Sequence, residues 1–228
     1  MLSQESESLA RVVDEVNRSF FHGNTLNDSR RKQLAVEIVS TVGRPGSYAG
    51  MFAPSDTDFE FGARTFTGES LRSRAGISHV LGEEACRSLI LLNVAEAATK
   101  AALAHATHGM LQRLNQSEAE GYGLGMYCCG TCSVAYWRHL AVGGLDRNEE
   151  RLTAAMEALK TYRKGDGGWK RFPFYYALLA LGEMNPDLAL DEMRYVAPVL
   201  ERLTKHLSLK NQYSERRRIL FERILARC

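Results

Sequence analysis

"YWRHLAVGGLD", Tyr136 to Asp146, and "YYALLALGEMN", Tyr175 to Asn185, lie over one another and decide the fold. Each opens on an aromatic pair, runs as an apolar helix to a glycine (Gly143 or Gly182), and passes through a polar turn into a longer amphipathic helix. Glycine-containing segments precede both copies: "GYGLGMY", Gly121 to Tyr127, and "KGDGGWKRF", Lys164 to Phe172. A period of about forty residues with two helices per unit is the mark of stacked α-hairpins, which bury their shared faces against neighbours.

The rest of the chain reads the same way. Residues 5–20 place Leu9, Val12, Val13, Val16 and Phe20 at helical spacing, and residues 29–42 do so after the capping sequence Asn27-Asp28-Ser29. From Glu83 to Leu114 an alanine- and leucine-rich run without proline predicts one long or two consecutive buried helices. Further helices are expected at 132–142, 147–162, 174–184, 188–206 and 214–226. Residues 43–68, "GRPGSYAGMFAPSDTDFEFGARTFTG", show no sustained period and are expected to form a long loop. No segment alternates with a period of two. The expectation is an all-α protein, 1–228 as a single helical domain of stacked α-hairpins.

The chain has 228 residues, 45% hydrophobic and 25% charged, enough for a sizeable core. A net charge of +2 supplies no global field for nucleic acid or an anionic membrane. The start, "MLSQESESLARVVDEVNRSF", carries acids where a signal peptide needs a basic start and an apolar run, and no window approaches a membrane span. A cytoplasmic protein is expected. Its five cysteines (Cys86, Cys128, Cys129, Cys132 and Cys228) are then read as thiols, ligands or core residues and not as disulfides.

"KTYRKGDGGWKRFPFYYALLALGEM", Lys160 to Met184, resembles a repeat of the terpenoid cyclase and protein prenyltransferase superfamily, in which a Gly-Gly-aromatic turn leads into an inner helix. "CCGTCSVAYWRHLAVGGLD", Cys128 to Asp146, resembles another such unit, so the likeness spans about residues 121–206. It implies an α/α barrel (toroid) or partial toroid with aromatic inner-helix ends around a cavity. The family's chemistry does not carry over. Met126 or Tyr127 stands where the zinc-binding Asp of a prenyltransferase β subunit would be, and Tyr175 and Tyr176 where its His would be. The acid of the squalene-type cyclases, Asp-x-Asp-Asp, meets only Asp56-Thr57-Asp58-Phe59.

Three constellations carry chemistry. Tyr136, Trp137, Trp169, Tyr175 and Tyr176, with Asp166 beside them, form either core packing or the wall of a pocket for an apolar, isoprenoid-like small molecule. Asp166 also suits the turn before Gly167-Gly168. Cys129-Gly-Thr-Cys132 has dithiol spacing, and a helix start there lowers a thiol pKa. With His105 and His108 on one helix face, Cys129 and Cys132 would complete a tetrahedral zinc set if the helices pack together. The simplest reading of these thiols is helix-start packing. Asp56, Asp58 and Glu60 alternate like ligands for a hard cation, but without a calcium-loop pattern a solvated loop is expected. The tail "SERRRILFERILARC" is read as an amphipathic helix docked on the body with a solvated basic face.

Three functions stay open: an apolar-ligand-binding protein or enzyme of the cyclase/prenyltransferase-like type, a helical interaction module for a protein partner or second copy, and a metal- or dithiol-dependent protein using CCGTC. Zinc is the cofactor the last one admits.

Overall fold

The computed structural model describes residues 8–228. Among the described residues the chain forms ten helices and one two-stranded ribbon, so the fold is all-α. The helices are α1 (Leu9–His22), α2 (Asp28–Val39), α3 (Asp56–Glu60), α4 (Arg74–Leu92), α5 (Ala97–Ala119), α6 (Gly130–Ala141), α7 (Asn148–Thr161), α8 (Phe174–Glu183), α9 (Pro186–His206) and α10 (Gln212–Leu225). Residues 5–7 of the expected first helix lie outside the described residues. None of these helices is long and apolar enough to cross a membrane.

The two sequence repeats become two hairpins, α6–α7 and α8–α9, stacked so that α6 packs on α8 and α7 on α9. Helix α4 lies against α6, and α10 against α8 and α9, while α1, α2 and α5 pack around α4. One cluster of buried side chains runs through all of them, from Leu9 to Ile224. The aromatic pair that opens the first repeat has a specific task. Trp137 Nε1 donates to Gly125 O at 2.7 Å and Tyr136 Oη to Leu124 O at 3.2 Å, so α6 fastens the glycine loop that precedes it.

Helix α4 differs from its expected form in length and content. It starts at Arg74, nine residues before Glu83, and the expected 83–114 run is two helices because Asn93 turns left-handed (φ 49°) and ends the first. It also buries Glu83, Glu84 and Arg87. Buried charges must be paired. Glu84 meets Arg138 of α6, Tyr176 of α8 and Asn17 of α1, whose Nδ2 lies 3.1 Å away. Arg138 Nε and Nη2 donate to Glu183 at 2.7 and 2.8 Å, and Arg87 reaches Asn17 at 2.6 Å and Glu183 at 2.7 Å. Four helices are tied at one point.

Residues 43–68, expected as a long loop, hold short elements. They contain α3 and the first strand of an antiparallel ribbon, β1 (Ala63–Arg64) with β2 (Ser70–Leu71). Elements of two to five residues are too short to show a period. The solvated-loop reading fails for Asp58, which is buried: it accepts from Ser55 N at 2.8 Å, closing the α3 capping box, and from Ser8 Oγ at 2.6 Å and Leu9 N at 3.0 Å at the start of α1. Asp56 and Glu60 are exposed. The tail is corrected too. Helix α10 docks through Leu220, Phe221 and Ile224, but much of its basic side is engaged: Arg216 is buried on Asp14 at 2.7 Å, Arg217 donates to Thr67 O, and Arg223 to Phe21 O.

Replacing Arg138 by alanine leaves Glu84 and Glu183 without their main counter-charge and is expected to cost about 3–5 kcal/mol in denaturant unfolding. Burial raises the Glu183 pKa, yet Arg138 and Arg87 outweigh it and hold the group below its ordinary value of 4.5. Its stabilisation is therefore complete above pH 4.5 and fades as pH falls through the lowered value. The variant is expected to lose that part of the acid slope.

Candidate thiol site at the start of α6

Cys128, Cys129 and Cys132 place their three sulfurs within 4.8 Å of one another, the one such grouping of potential ligands among the described residues. Local geometry explains this. Cys129 is the residue before α6 and Cys132 lies in its first turn, so both thiols face the same helix start. Cys128 takes a left-handed backbone (φ 59°), which turns the chain into the helix. Ser133 locks that corner, its Oγ accepting from Tyr127 N at 3.0 Å and donating to Tyr127 O at 2.9 Å. Gly130 carries no side chain for a packing reason: a Cβ there would lie 2.1 Å from Arg171 O, in the turn leading into α8. The start of α6 and the turn into α8 therefore touch through backbone.

The thiols differ in exposure. Cys128 and Cys129 are exposed and Cys132 is buried; all five cysteines are free. The Cys132 thiol is the main influence that lowers the Cys129 pKa to about 5; burial opposes it, and the N–H groups of Cys132 and Thr131 add to it. Cys132 moves the other way. Its neighbour Cys129, then burial, hold its proton. Charge is thus favoured on the exposed Cys129 and the proton on the buried Cys132.

Behind Cys128 stands a chain of buried groups. His79 and Glu83, one turn apart on α4, are joined by His79 Nε2 at 3.3 Å from Glu83 Oε1, and the other carboxylate oxygen lies 2.6 Å from His139 Nδ1 of α6. Burial presses the Glu83 pKa upward, but its two histidine partners prevail and bring it to about 2. Burial also presses His79 down, and Cys128 and Glu83 turn the net shift upward. Tyr48 stacks on the His79 ring, centroids 4.2 Å apart, and Tyr127 meets it edge-on at 5.1 Å. The two tyrosine hydroxyls are hydrogen-bonded to each other. Tyr48 reaches this place because Gly109 of α5 admits the Ala49 carbonyl, which would lie 1.9 Å from any Cβ. Cys128, Tyr48 and Tyr127 face a polar pocket of about 310 Å³, whose rim includes Arg113 and Glu120.

The aromatic group lies elsewhere. Tyr136, Trp137, Trp169 and Tyr176 are buried, and their polar atoms bond to protein: Trp169 Nε1 donates to Glu192 at 2.7 Å and Tyr176 Oη to Glu84. Tyr175 is half-buried under the Arg217 guanidinium and stacks on Phe221. Asp166 is exposed and accepts from Gly168 N at 2.9 Å, the turn contact its position suggests. His105 and His108 are exposed on α5 and stand outside the thiol group. His105 packs on the 43–50 segment, its Nε2 3.4 and 3.3 Å from where Cβ atoms on Gly43 and Gly50 would be. The sequence reading missed His79 and Glu83 as site groups. The available signal was a His-x-x-x-Glu spacing on a helix without a polar face.

Compared with protein-family models, with curated proteins and with solved structures, the chain matches none.

In reduced, chelator-treated protein, alkylation of Cys129 by iodoacetamide is expected to follow a thiolate of pKa about 5, with Cys132→Ala moving the midpoint upward. Mass-resolved alkylation between pH 4 and 9 reads this; a midpoint near the ordinary thiol value in the unaltered protein contradicts it.

Proposed function

We propose that the CCGTC segment is a thiol–disulfide exchange centre. The observation that carries the reading is the placing of two thiols: Cys129 exposed before α6 and Cys132 buried in the first turn behind it. In exchange, the Cys129 thiolate attacks one sulfur of a substrate disulfide, forming a mixed disulfide and releasing the first substrate thiolate. Cys132 then loses its proton to the first released thiolate or to water and attacks the Cys129 sulfur, releasing the second thiolate and leaving a Cys129–Cys132 disulfide. Two electrons pass from the dithiol to the substrate. The helix start favours charge on Cys129 through its free N–H groups. The polar pocket beside Cys128 offers room for the substrate arm.

This reading stands above an apolar-ligand pocket of the terpenoid cyclase type because the rings of Tyr136, Trp137, Trp169 and Tyr176 are packed and their polar atoms already bonded. The stacking of α6–α7 on α8–α9 supports the repeat on which that resemblance rested; the toroid remains a fold-level proposal.

With a chromogenic aromatic disulfide and Cys228→Ala as background, the reduced protein is expected to release a second thiolate soon after the first. Cys129→Ala should abolish the fast phase, and Cys132→Ala should trap a mixed disulfide detectable by mass. A mixed disulfide that persists with Cys132 present sinks the proposal.

A further inference from the structure

We propose that Cys128, Cys129, Cys132 and His79 form a four-ligand site for a soft divalent ion of the zinc class. The inference shares Cys129 and Cys132 with the exchange reading, but exchange requires neither Cys128 nor His79.

Three observations converge. The first is the sulfur grouping itself. Thiolates about 2.3 Å from a tetrahedral ion lie about 3.8 Å apart. Three sulfurs already within 4.8 Å of one another need only small side-chain adjustments to close on an ion. The second is a buried nitrogen without a partner. His79 is 1% exposed, and its Nδ1 makes no hydrogen bond. Leaving such an atom unpaired is costly, and a bound ion would offset that cost. With Nε2 turned to Glu83, Nδ1 is the nitrogen left for an ion; the ring adjoins Cys128 from outside the sulfur grouping and must move inward to complete the set.

The third is the setting of that histidine. A ligating imidazole usually donates its other N–H to a carboxylate, which sets the tautomer and strengthens the lone pair. Glu83 stands in that place at 3.3 Å, and His139 holds its other oxygen at 2.6 Å. The ring plane is fixed from one face by the Tyr48 stack, 4.2 Å between centroids. The donor set selects the ion class: three thiolates and an imidazole suit zinc and its soft relatives, whereas calcium and magnesium take oxygen ligands. Four protein donors would fill a tetrahedron and leave no open position on the ion.

The exchange centre and the ion site use the same reduced thiols, so they exclude one another in time. An oxidised Cys129–Cys132 pair has no thiolates left to bind an ion.

The test is a Co²⁺ titration of the full chain, reduced, stripped with a chelator and kept anaerobic. The expected result is one Co²⁺ per chain, with thiolate-to-cobalt charge-transfer bands and the strong visible bands of a tetrahedral site, all displaced by Zn²⁺. Glu83→Gln, which leaves all four ligands in place, should lower the affinity about 10–100-fold. His79→Gln should change the visible bands while keeping thiolate charge transfer. Absence of charge-transfer bands in the unaltered protein overturns the site, and bands unchanged in His79→Gln overturn the fourth ligand. The unaltered chain alone decides the main point should a variant fail to fold. Rapid disulfide exchange without Co²⁺ binding removes this inference and spares the exchange reading; Co²⁺ binding by a chain inert to disulfides does the reverse.

Discussion

Two neighbouring carboxylates on one buried helix organise this molecule. Glu83 and Glu84 of α4 sit in the interior, where an unpaired charge is prohibitive, and adjacent helix positions point about 100° apart. They must therefore find counter-groups on different sides. Glu84 finds Arg138, Asn17 and Tyr176, and Glu83 finds His79 and His139. Arg138 and His139 are themselves neighbours on α6. The same two-residue pairing on facing helices thus sets the rotation and the axial register of α4 against α6.

That register is what builds the thiol site. His139 on Glu83 fixes the carboxylate, Glu83 fixes the imidazole of His79, and the His79 ring sets the wall beside Cys128. The α6 helix carries the cysteines at one end and the charged pair near the other, so a shift of α4 along α6 would move both together. The first aromatic pair contributes from outside this line: Trp137 and Tyr136 hold the backbone of Leu124 and Gly125, which leads straight into Met126 and the cysteines. Their role is to place the loop.

Much of the helical plan was legible because helices of ten or more residues repeat their apolar spacing several times. The hairpins α6–α7 and α8–α9 were visible as a repeat, and α1, α2, α9 and α10 as amphipathic or capped runs. The misses have physical reasons. Helix α3 and the ribbon are shorter than a period. The start of α4 contains the exposed Arg74 and the buried Ser78 and His79, polar residues that a hydropathy pattern does not read as the start of a buried helix. The arginines of α10 looked like a solvated face, yet Arg216 and Arg217 find carboxylate and carbonyl acceptors from segments far away in the chain.

By itself the sequence determined the class of fold, the two stacked hairpins and the presence of a Cys-x-x-Cys pair at a helix start, since each follows from residues close together in the chain. It placed chemistry at "CCGTC" without being able to choose partners for it. Only the tertiary structure set His79 beside Cys128 and left His105 and His108 exposed on α5, brought Glu83 and His139 into line behind His79, and packed the aromatic residues as core. Those choices depend on how α4 and α6 face each other, and that facing is set by buried charges more than fifty residues apart, a relation no local spacing contains.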